Sequence, residues 1–296
     1  MKNYTTLTAL IFCAGLSAQT VQFIEPRNVM NASRPEDVFT WDNAGNHFVL
    51  YKQFTISAPL RLDLQMDVYG AQQQPVSSRM YDQSLTPGDA NTYEGIFKTT
   101  DQLVMLKSGY EKGANTIYAY PIAANGERGA AAELTSIASE KAMNSGFFKT
   151  NVSDDGSKIV VLSESPFNKS GNEKAKITVF DSKFVRVWEK EFDFPYESKR
   201  STYNDVYVNN NGTAFILKKV IGKKSMDTTS VFTFTDKGAA MKHNVVKLGE
   251  NGNMSTWKPM FTAAGDLILA GYYYENKNVG VNVEDVIGTF YVRVKA

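Results

Sequence analysis

The sequence predicts an all-β fold built from five repeated units, and three observations predict it. An apolar run recurs at Phe48, Leu103, Ile159, Phe215 and Ile268, at intervals of 55, 56, 56 and 53 residues. A period this even marks repeated supersecondary units. Four of the runs follow a polar turn closed by glycine: Asp42-Asn43-Ala44-Gly45, Ser153-Asp154-Asp155-Gly156, Asn209-Asn210-Asn211-Gly212 and Thr262-Ala263-Ala264-Gly265. The remaining copy, Thr99-Thr100-Asp101-Gln102 before Leu103, lacks the glycine. Such turns ahead of β-branched and aromatic runs read as hairpins. The strands themselves either alternate, as in Lys176 to Phe180, or are apolar throughout, as in Leu103 to Leu106, which suits burial on both faces.

Each period divides into four short strands. The first gives Val38–Trp41, Phe48–Gln53, Leu60–Tyr69 and Val76–Tyr81. The second gives Gly95–Lys98, Leu103–Lys107, Thr116–Tyr120 and a poor strand at Glu133–Ile137, which follows the weak strand material Gly129–Ala132. The third gives Phe147–Ser153, Ile159–Glu164, Ala175–Phe180 and Val185–Phe194. The fourth gives Tyr203–Val208, Thr213–Val220, Ser230–Phe234 and Lys242–Leu248. The fifth supplies three, Pro259–Thr262, Leu267–Tyr274 and Gly288–Val294. Four-stranded antiparallel units around an axis make a five-bladed β-propeller. Its blades fall at about 35–90, 91–145, 146–201, 202–254 and 255–296 in a single domain from residue 19. The strand-like segment 20–24 is expected to complete the last blade and close the ring, which removes two open sheet edges.

The stretch Ser153-Asp154-Asp155-Gly156-Ser157-Lys158-Ile159-Val160 resembles the turn-and-strand signature of Tol-Pal-type periplasmic propellers and WD-like repeats. The other copies match it loosely. The resemblance implies a propeller fold and no particular activity. The paired Gly-His and Trp-Asp marks of true WD repeats are missing, as is the Ser-x-Asp-x-Gly-x-x-Trp box of sialidase blades.

The chain opens on Met1-Lys2-Asn3, an apolar stretch Leu7–Leu16, and Leu16-Ser17-Ala18 before Gln19. This reads as a signal peptide cleaved after Ala18, too short in its apolar part to span a bilayer. The expected location is therefore the periplasm, the cell surface or the exterior. Cys13 is the one cysteine and lies in this segment, so the mature chain is expected to hold no disulfide and no thiolate site. Phe12 occupies the place before Cys13 where lipoprotein processing wants a small residue. Cleavage removes Lys2, one of 32 basic residues, and levels the count with the 31 acidic ones. A balanced chain lacks the basic face that nucleic acid requires. A hydrophobic share of 43% is ample for a folded core.

The loops joining second to third strands are long in the last three blades, at Glu164–Lys174, Ile221–Thr229 and Glu275–Val286. Long loops on one side of a rigid scaffold are where binding concentrates. On the same face, the segments leading into the innermost strands carry Asp37, Tyr93, Glu94, Tyr203, Asp205 and Trp257, the candidate ligand-binding residues. Their mix of rings and carboxylates suits a glycan or a peptide. The reading is a non-enzymatic binding module, with no cofactor and no metal. One alternative is a carbohydrate-active enzyme using Asp37, Glu94 and Asp205, since glycoside hydrolysis needs two carboxylates flanking the scissile bond. Another is a structural part of an envelope complex. His47 and His243, the only histidines, are not expected to meet, which leaves a Ser-His-Asp triad without its base.

Overall fold

The computed structural model describes residues 34–40, 45–55, 61–84, 92–221, 228–248, 252–275 and 286–296. The expected signal segment 1–18 and the closing strand 20–24 lie outside the described residues, as do most of the loops at 221–229 and 275–286. Blade 1 holds β1 (Arg34–Thr40), β2 (His47–Thr55), β3 (Arg61–Tyr69) and β4 (Pro75–Ser84). Blade 2 holds β5 (Thr92–Lys98), β6 (Leu103–Glu111), β7 (Ala114–Ile122) and β8 (Ala132–Ala138). Blade 3 holds β9 (Phe147–Val152), β10 (Lys158–Glu164), β11 (Asn172–Asp181) and β12 (Arg186–Glu197). Blade 4 holds β13 (Ser201–Val208), β14 (Ala214–Val220), β15 (Thr228–Thr235) and β16 (Ala240–Val246). Blade 5 has three described strands, β17 (Gly252–Phe261), β18 (Leu267–Glu275) and β19 (Val286–Val294). Within every blade neighbouring strands are antiparallel and consecutive. One parallel bridge, Ser84 with Thr92, links the sheets of blades 1 and 2. The architecture is a β-propeller.

Four apolar cores fill the seams between consecutive blades. Phe48, Leu64 and Met66 of blade 1 meet Leu103 and Met105 of blade 2. Val104, Leu106 and Ile117 meet Phe148, Ile159 and Val161 of blade 3. Val160, Ile177 and Phe194 meet Val206, Ile216 and Phe232 of blade 4. Phe215, Leu217 and Val231 meet Leu267, Leu269 and Phe290 of blade 5. Val104 and Met105 therefore serve different seams, which explains why the second strands carry runs such as Leu103 to Leu106 that are apolar at every position rather than alternating.

The repeated turn also ties neighbouring blades together. The Thr100 amide donates to the Gly156 carbonyl at 3.0 Å, and the Thr100 hydroxyl to the Asp155 carbonyl at 3.0 Å. The Asp155 amide donates to Asn210 Oδ1 at 3.3 Å, and Asn209 Nδ2 to the Gly265 carbonyl at 2.8 Å. Lys98 Nζ reaches back to the Thr40 carbonyl of blade 1. Asn209 uses both ends of its amide. Its Oδ1 accepts from the amides of Asn211 and Thr213 within the turn, while its Nδ2 holds the next blade. Pairing these turn donors with the neighbour satisfies groups that an isolated hairpin would leave to water.

The strand register refines the sequence alignment. Blade 3 pairs the last residue of its first strand, Val152, with the aligned Ile159, whereas blades 4 and 5 pair Val208 with Ala214 and Phe261 with Leu267, one residue ahead of the aligned Phe215 and Ile268. The cause is turn length: the Ser153 amide bonds the Lys158 carbonyl, whereas Asn209 bonds Thr213 and Thr262 bonds Asp266. The turn in blade 3 is one residue longer. Poor strand material did not prevent β8 from forming, because pairing with β7 and burial of Ile137 in the seam override local propensity.

Candidate functional site

The first strands of adjacent blades approach one another, β5 to β9 and β9 to β13, which places them nearest the axis. All six candidate residues lie on such strands. The sequence placed them in segments leading into those strands, but hydrogen bonding with the second strands extends the pairing through them. Four of the five first strands carry a bulge near this end, between Pro35 and Asp37, Tyr93 and Gly95, Ser201 and Tyr203, and Met254 and Thr256. Bulges bend a strand and re-aim its side chains. Gly95, with φ of +151°, was the readable signal of one of them.

Register sets three carboxylate-bearing residues at one height. Asp37 is opposite Leu50, Asp205 opposite Leu217, and Glu94 sits in the bulge beside Gly95, opposite Leu106. Leu50, Leu106 and Leu217 are each the fourth residue of their strand. The side chains of Asp37 and Tyr203 lie outside the described residues.

The other four fall into two groups. In the seam between blades 4 and 5, Trp257 Nε1 donates to the Tyr207 hydroxyl at 3.0 Å, and that hydroxyl donates to Asp205 Oδ2 at 2.8 Å. Trp257 also packs against the seam core while remaining partly exposed. Tyr207, which the sequence reading passed over, is thus the link that joins Asp205 to Trp257. Nearby, Lys219 Nζ donates to the Tyr274 hydroxyl at 3.1 Å. In blade 2, Tyr93 packs on the first seam core, with Lys52 Nζ 5.5 Å from its ring centroid. Glu94 accepts a 2.5 Å hydrogen bond from Ser108 Oγ.

Burial pushes the Glu94 carboxyl up to about 7, with the Ser108 hydroxyl and the Lys149 ammonium pulling back. A carboxyl whose folded value exceeds its unfolded one favours the native state below the unfolded value, and that advantage is lost as pH rises through the folded one. The window here runs from 4.5 to about 7. Glu94→Gln should therefore flatten the fall in stability across that window. It should raise unfolding free energy at pH 8 by up to about 3 kcal/mol, read by urea denaturation at several pH values.

His47 stacks on Tyr69 in blade 1, and His243 stacks on Phe232 in blade 4 with ring centroids 4.4 Å apart. His243 Nε2 is 3.1 Å from Ser230 Oγ, and Tyr196 bridges both. Ser230 is fully buried, so this network fixes the third core and offers no accessible nucleophile. Among the described residues no three His, Cys, Asp or Glu side chains group as a metal site. No described helix is long and apolar enough to cross a membrane.

No family model matches the sequence, and no curated protein matches it. Among solved structures it is similar to the β-propeller domain of the trilobed protease from Pyrococcus furiosus, at 9% identity and a TM-score of 0.44 over 85% of this chain and 71% of that one. It is similar to the endo-arabinase from Bacteroides thetaiotaomicron at 7% identity, TM-score 0.40, over 88% of this chain and 92% of that one. For the catalytic domain of the α-L-arabinofuranosidase from Coprinopsis cinerea the figures are 11%, 0.38, 87% and 90%.

Proposed function

We propose that this chain is an exported binding module that takes a glycan or peptide at the axial mouth of the propeller. In this reading residues 19–296 form one domain, and the leading 18 residues direct export. The observation that carries the proposal is the line from Trp257 through Tyr207 to Asp205. It fixes a partly exposed indole and a carboxylate from adjacent blades in one arrangement before any ligand arrives. Preorganised groups lose less freedom on binding, and an indole offers a stacking face for a sugar or side-chain ring.

A second reading, carbohydrate-active enzyme, draws on Glu94. A carboxyl titrating near 7 can hold a proton for a leaving group at neutral pH. Its height matches that of Asp37, on the first strand of the adjacent blade, and of Asp205, two blades away, from which a second carboxylate would come.

A glycan and peptide array run beside a screen of chromogenic glycosides separates the readings. Retention without turnover supports the binding module, and turnover lost in Glu94→Gln supports the enzyme. Silence on every surface removes both and leaves a structural role in an envelope assembly.

A further inference from the structure

The seam between blades 1 and 2 holds a buried cation that no described group neutralises. Lys107, on β6, is 7% exposed. Among the described residues its ammonium has neither an ion pair nor a hydrogen bond; its ring contact is Tyr120, at 5.4 Å. The same ring lies 5.6 Å from the guanidinium of Arg128, which is 5.7 Å from the ring of Tyr81 across the seam in blade 1. Arg128 also lacks an ion pair among the described residues. Arg79 of blade 1 pairs with Glu127 at 2.8 Å, yet its Nε is buried without an acceptor. Lys107, Arg128 and Arg79 thus gather around the Tyr81 and Tyr120 rings, and Glu127 is paired to one of them.

Desolvating an ammonium without a counter-charge is unfavourable. Burial, with Arg128 adding repulsion, holds the Lys107 amine down at about 8. Apolar residues fill the corresponding layers of the seam below it, so packing alone does not call for a lysine here. A bound anion would supply the missing charge and offset that penalty.

We infer that the seam is a site for an oxyanion, a carboxylate, sulfate or phosphate group seated against Lys107 and Arg128 with the Tyr81 and Tyr120 rings beside it. Lys107 lies opposite Tyr93 in the strand register, so the site adjoins the axial surface, but it does not depend on the function proposed there. The group can belong to an acidic sugar, whose ring the tyrosines would flank, or to a free inorganic anion.

The test is a thermal-shift and calorimetric titration of the full chain with sodium sulfate, sodium phosphate, a uronic-acid oligosaccharide and its neutral counterpart, against chloride at equal ionic strength. Binding by the uronate alone identifies an acidic sugar; binding by sulfate or phosphate identifies a free anion. In either case Lys107→Met and Arg128→Gln should each weaken the interaction at least tenfold. Lys107→Met keeps the length of the side chain and removes an unpaired buried charge, so it should fold and melt no lower than the wild type without ligand. The inference is overturned if no anion stabilises the protein beyond chloride, or if both variants respond as the wild type does.

Discussion

Glu173→Gln should lower the free energy of unfolding by about 3–5 kcal/mol, because it strands a buried charge. Lys218 is fully buried in the seam between blades 3 and 4, and its Nζ lies 2.5 Å from Glu173 Oε2. The ammonium also lies 4.0 Å from the centroid of the Phe194 ring. Burial pushes the lysine's pKa down, and Glu173, with Glu164 further off, pulls it back. Without Glu173 the ammonium loses the counter-charge at 2.5 Å. The double variant Glu173→Gln/Lys218→Met should recover most of the loss, since apolar replacement of a buried pair is often neutral or better. Urea unfolding of the two single variants and the double variant checks this. Additive losses in the double variant would mean that the two residues do not act as a pair.

The second large effect concerns the turns. Gly156 has φ of +72°, and a Cβ there would lie 2.6 Å from backbone atoms of Thr99 and Thr100 in blade 2. Gly212 has φ of +84°, but a Cβ there meets nothing closer than Trp188 Nε1 at 3.8 Å. Gly212→Ala therefore carries backbone strain alone, about 1 kcal/mol. Gly156→Ala carries that strain and also forces apart the turns that join blades 2 and 3, for a loss of about 3 kcal/mol or more. Thermal unfolding of the pair reads the difference directly. Equal losses would show that turn contact between blades contributes little.

Much of the architecture was legible because it depends on local pattern. The Asp/Asn/Gly turns and the evenly spaced apolar runs placed the described strands of all five blades, with ends off where pairing ran on, most of all in β17, which opens at Gly252 rather than Pro259. The level shared by Asp37, Glu94 and Asp205 was also readable, since their repeat positions correspond. What was hidden depends on residues brought together from different blades. Nothing in the neighbourhood of Tyr207 signals that Trp257, fifty residues on, will donate to its hydroxyl. Lys107 and Lys218 read as ordinary strand lysines; only the facing blade buries them, one beside Glu173 and the other beside a tyrosine ring. The double duty of Asn209 was similarly out of reach, because its second partner is the turn of the next blade. Gly95 was a partial exception. A glycine within a strand pattern marks a bulge, and this one turns Glu94 to Ser108.

The central claim is that the axial ends of the first strands form a preorganised binding surface. It is tested most directly by placing the wild type, Trp257→Ala and Asp205→Asn on one array of glycans and peptides, with melting temperatures measured on the same samples. The account predicts a defined set of ligands for the wild type. For Trp257→Ala it predicts a loss of about 1 to 3 kcal/mol in affinity at temperatures where the variant is still folded, and for Asp205→Asn a smaller loss in the same direction. Undiminished binding by both variants, with only the melting temperature lowered, would contradict it and assign the indole to packing.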